Sequence, residues 1–64
     1  MDSEKRNELS ELTEIAVKNN DVATLRNIWK TIELDMQNEP YTTEEGAEWF
    51  INLIPGELHL IIFN

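Results

Sequence analysis

The chain has 64 residues, 13 of them acidic and 5 basic, for a net charge of −8. It contains no Cys, which excludes disulfides and thiolate metal sites, and its single His59 cannot assemble an imidazole site alone. One small core leaves such a chain marginal, so helix packing, self-association or a partner must add stability; self-association or a partner is favoured.

The first element reads as a helix over about residues 3–18. Leu9, Leu12 and Ala16 recur at helical spacing, with Ile15 beside them. Ser3 suits an N-cap, and Glu4 suits the positive end of the helix dipole. Glu14 and Lys18 form a favourable pair one turn apart, whereas Glu4, Glu8 and Glu11 line one face with like charge. Asn19-Asn20-Asp21 then punctuates the chain. Asn accepts the left-handed conformation that closes a helix, and Asp caps the next one. So short a link predicts an antiparallel helical hairpin.

The second element, about residues 22–38, has the cleanest pattern. Val22, Leu25, Trp29, Ile32 and Met36 step by alternating threes and fours, and Ile28 widens the stripe. This predicts the core face of a helix in a small bundle, with Trp29 buried at the seam. Arg26 and Lys30 sit one turn apart, and Lys30 is within reach of Glu33. Pro40 has no N–H and restricts Glu39, so the helix must stop by about Asn38.

The third element, about residues 43–54, opens on Thr42-Thr43-Glu44-Glu45, where Thr42 and Glu45 match a capping box. Ala47, Phe50, Leu53 and Ile54 make one apolar face, while Trp49 and Ile51 fall off it. Pro55-Gly56 ends the helix. The last segment, residues 57–63, is short and apolar with β-branched Ile61 and Ile62, which predicts an extended or strand-like tail. No second strand exists to pair with it. It must therefore pair with another chain, fold as a short helical turn against the hairpin, or fray. The expected fold is mainly α, one small domain over residues 1–64.

Catalytic chemistry finds no foothold. Ser3 and Ser10 lie far in sequence from His59, and Gly46 and Gly56 make no phosphate-cradling loop. Glu44, Glu45 and Glu48 are paired carboxylates, but a helix's first turn offers no desolvated pocket to separate their pKa values. The closely spaced oxygen ligands and Gly turn of a calcium loop are missing. The expectation is a non-enzymatic binding protein with no cofactor and no metal.

Charge distribution points to what it binds. Residues 1–30 hold six acids (Asp2, Glu4, Glu8, Glu11, Glu14, Asp21) and all the Lys and Arg; residues 31–64 hold Glu33, Asp35, Glu39, Glu44, Glu45, Glu48 and Glu57 with no Lys or Arg. Most acidic surplus only keeps a small protein soluble. The sharper expectation is an inhibitor or regulator that docks Glu33, Asp35, Glu39, Glu44, Glu45 and Glu48 on a basic protein surface, such as one built for nucleic acid. Small acidic mimics of that kind are common in phages and mobile elements. Direct nucleic-acid binding is not expected, because phosphate contacts need Lys and Arg. The alternative is an oligomerising or adaptor module using Trp49, Phe50, Ile51, Leu58, Leu60, Ile62 and Phe63, with a homodimer expected because residues 49–63 look too apolar for one copy to hide. The N-terminus carries no apolar run behind Lys5-Arg6, and the longest apolar run, Leu60 to Phe63, cannot span a bilayer. A soluble, cytoplasmic protein without membrane contact is expected.

Overall fold

Among the described residues the chain forms four helices: α1 (Ser3–Lys18), α2 (Val22–Asn38), α3 (Thr43–Leu53) and α4 (Gly56–Phe63). The computed structural model of the chain describes residues 2–38 and 43–63, side chains included except at residues 38 and 43–46. The Thr42–Glu45 capping box and the Pro40 stop therefore lie outside the described residues. The mainly helical expectation holds, and among the described residues there is no strand.

α1 starts one residue earlier than its Ser suggests. Asp2 is the N-cap, and its carboxylate accepts from the Lys5 N–H at 2.8 Å. A carboxylate there both fills the cap and faces the positive dipole end. The buried stripe also differs from the expected one. Leu9, Thr13, Ala16 and Val17 face inward, whereas Leu12 is 49% and Ile15 57% exposed. At 100° per residue Ile15 points roughly 120° away from Leu9, outside a stripe one helix can bury. Thr13 tolerates full burial because its hydroxyl donates to the Leu9 carbonyl at 2.7 Å.

The link between α1 and α2 is a Schellman closure. Asn20 is left-handed at φ 55°. Its N–H donates to Val17 O at 3.1 Å, and the Asp21 N–H donates to Ala16 O at 2.8 Å. Asp21 then caps α2, accepting from the Thr24 N–H at 3.2 Å and the Thr24 hydroxyl at 2.6 Å. One residue closes the first helix and opens the second.

α2 is the centre of the fold, with α1, α3 and α4 all packed on it and α1 also touching α3. Leu25, Ile28 and Ile32 are buried along its seam with Ala16, Ala47, Phe50, Ile54 and Ile62. Trp29 is half-buried, not enclosed as expected. Its ring stacks on Phe50 at 5.8 Å between centroids and meets Phe63 edge-on at 4.7 Å. Phe50 and Phe63 also meet edge-on at 5.8 Å, so α2, α3 and α4 each contribute one ring to a mutual cluster.

The strand-like tail is overturned. Residues 56–63 form α4, a helix. Pro55 ends α3 because it cannot donate, and its carbonyl then accepts from the Leu58 N–H at 2.9 Å to begin α4. Glu57 in the first turn complements the helix dipole. A helix satisfies its own backbone groups, which a strand without a neighbour cannot do, and this outweighs the β preference of Ile61 and Ile62. Helical spacing also sets Leu58 and Ile62 against the core while Leu60 and Ile61 turn outward.

Phe50 is fully buried at the centre of the cluster. Phe50→Ala is expected to cost about 3–5 kcal/mol, a large share of what so small a domain has. Thermal unfolding followed by circular dichroism should lose its cooperative transition. A melt within a few degrees of the unsubstituted chain would mean the ring is not what joins the helices.

Candidate functional site

The sequence-predicted acidic residues are only partly placed. Glu33 is exposed on α2, Glu48 is exposed on α3, and Asp35 is half-buried. Glu39 and the side chains of Glu44 and Glu45 lie outside the described residues; the Glu44 and Glu45 backbones belong to the first turn of α3. Glu57, exposed in the first turn of α4, is a further acid of the same half, which has no Lys or Arg.

The predicted apolar set divides in two. Phe50 and Ile62 are consumed by the chain's own core. Trp49, Ile51, Leu58 and Phe63 are half-buried and packed against that core. Leu60 remains at 77% exposure, and Ile61, which the sequence did not single out for docking, stands beside it at 47%. A helical rather than extended tail accounts for this division, because alternation would have put Leu60 and Ile62 on the same side.

A groove of about 290 Å³ runs between α2 and the end of α4, lined by Arg26, Trp29, Lys30, Glu33, Ile62 and Phe63. A shallower depression continues it along α2 past Leu34 and Gln37. Among the described residues neither Arg26 nor Lys30 has a hydrogen-bond or ion-pair partner. Both are exposed cations beside two aromatic rings. The spacing of Arg26, Trp29 and Lys30 on one helix was visible in the sequence. The facing wall of Ile62 and Phe63 exists only because the tail is helical.

The titratable groups do structural work. The Asp21 carboxyl is held below its ordinary value by the hydrogen bonds from the Thr24 hydroxyl and the Thr24 N–H, as befits a cap. His59 Nε2 lies 2.9 Å from the Ile54 carbonyl and its ring meets Phe63 edge-on. A carbonyl only accepts, so Nε2 carries the hydrogen and satisfies a carbonyl left over at the end of α3. Among the described residues no cluster of His, Asp or Glu could hold a metal ion, and no helix is long and apolar enough to cross a membrane.

No protein-family model, curated protein or solved structure matches this chain.

The division of α4 has a direct check. Leu60→Ser should leave stability within about 0.5 kcal/mol, as for other surface substitutions, while Ile62→Ser should unfold the protein by placing an unpartnered hydroxyl in the core. Equal losses from the two substitutions in thermal melts would contradict this placement of α4.

Proposed function

We propose that this protein acts by binding, as a small non-enzymatic inhibitor or regulator that sets a carboxylate-rich face on a basic protein surface. The observation that carries this reading is charge segregation: every Lys and Arg lies within residues 1–30, and residues 31–64 carry seven acids and no Lys or Arg. Glu33, Glu48 and Glu57 reach solvent from three different helices of one packed unit, so the negative charge is mounted on a rigid frame. Carboxylates on such a frame attract Lys and Arg of a partner, raise the association rate and reject anionic surfaces. A protein surface built for nucleic acid has the matching chemistry.

A second reading rests on Leu60 and Ile61. Two large apolar side chains exposed on adjacent positions of an eight-residue helix supply an apolar contact surface, as an oligomerising or adaptor module requires. Ionic strength separates the two, since charge docking weakens with salt and apolar docking does not.

The test of the first reading is capture from the native cell at low and at high salt, using the wild type and a Glu44→Lys, Glu45→Lys, Glu48→Lys variant. The expected result is a basic protein retained by the wild type at low salt, released at high salt and missed by the variant. Circular dichroism should show the variant still folded. Equal retention of the same protein by the variant at high salt would sink the charge-docking reading.

A further inference from the structure

The groove between α2 and the end of α4 gathers two of the chain's five basic residues into one depression with two aromatic rings. Its lining sets Arg26 and Lys30 against a single acid, Glu33, so base is in excess there on a chain of net charge −8. Two other depressions lack that excess. The one by Asp2, Glu4 and Glu8 holds only Lys5, and the one past Leu34 and Gln37 balances Lys30 with Glu33. Arg26 and Lys30 lie four residues apart on α2, about 6 Å along its axis, so one anionic group set between them meets both. Neither has an ion-pair partner among the described residues, and the Trp29 indole N–H has no hydrogen-bond partner there. Trp29 is only half-buried: it stacks on Phe50 and meets Phe63 edge-on, and the rest of its ring lines the groove.

We propose that this groove binds a small organic anion of the aromatic carboxylate class, its carboxylate between Arg26 and Lys30 and its ring against Trp29 and Phe63. The two cations divide the work. A guanidinium holds both carboxylate oxygens in its fork, and an ammonium adds a point charge from the other side. An exposed ion pair is weak by itself, so the ring's contact with the aromatic wall must supply part of the affinity. An inorganic anion or a neutral aromatic matches only half of the lining. The volume of about 290 Å³ suits a compound of one or two rings and is too small to take a partner's helix. The inference is independent of the charge-docking reading, since it uses the basic residues which that reading leaves aside. A ligand in this place touches α2 and α4 together, so its binding also secures α4 on the bundle.

Heteronuclear NMR of the full chain at moderate salt tests this with three probes: naphthoate, naphthalenemethanol and acetate. The expected result with naphthoate, at millimolar concentration or below, is a saturable shift of the Trp29 indole N–H and of the Lys30 and Phe63 amides. The indole of Trp49, which is outside the groove lining, should stay in place. The alcohol lacks the charge and acetate lacks the ring, and each is expected to bind at least about tenfold more weakly. Arg26→Gln and Lys30→Gln each remove one cation from an exposed position, so the fold is kept and naphthoate affinity falls about tenfold. Lys5→Gln removes the same charge from a different depression and should leave the affinity within about twofold. The absence of a saturable shift with naphthoate, equal binding of the alcohol or of acetate, or an equal loss in Lys5→Gln overturns the proposal.

Discussion

The contact among Trp29, Phe50 and Phe63 holds the rest of the structure in place. Each ring comes from a different helix, and the centroid separations of 4.7–5.8 Å with one stacked and two edge-on geometries are those aromatic rings prefer. α2 alone could not hide Trp29, and α3 alone could not enclose Phe50. The cluster gives α4 a reason to be where it is, and His59 secures the turn by donating to the carbonyl of Ile54. A cysteine-free chain of 64 residues has few other means of gathering a core.

What α4 hides and what it shows are set by the same periodicity. Leu58, Ile62 and Phe63 turn toward the cluster, so Leu60 and Ile61 must turn away from it. Trp29 and Phe63, by meeting edge-on, also shape the groove over which Arg26 and Lys30 stand. The apolar strip and the basic groove are thus by-products of closing the core. Glu33, Glu48 and Glu57 are carried by three of these packed helices, so charge and apolar surface belong to the same bundle.

Much of the fold was legible in the amino-acid order, and the losses have physical causes. The alternating threes and fours from Val22 to Met36 marked the central seam, and Asn20 and Asp21 have the left-handed and capping roles their chemistry favours. Thr13 was missed because a buried hydroxyl looks unfavourable until its bond to the Leu9 carbonyl is seen; Leu12 and Ile15 took its place by hydropathy alone. The tail departs from the β preference of Ile61 and Ile62 because a helix satisfies its own backbone groups and, among the described residues, no strand stands beside it. Helical spacing carries Ile62 into the core and turns Ile61 outward beside Leu60, where an extended tail would have set Leu60 and Ile62 on one side. The acidic surplus was plain from composition, but the order of residues cannot say which carboxylates share a face.

Native-state hydrogen exchange of the backbone amides is the most direct measurement of whether α4 belongs to the core. Helices joined by one aromatic cluster should open as one cooperative unit. The expected result is that the amides of Ile61, Ile62 and Phe63 exchange with the same opening free energy as those of Leu25 to Ile32. Amides in α4 that exchange freely while α2 stays protected would contradict the account: the tail would then be a loose segment, and neither the groove nor the strip on α4 would exist as a surface.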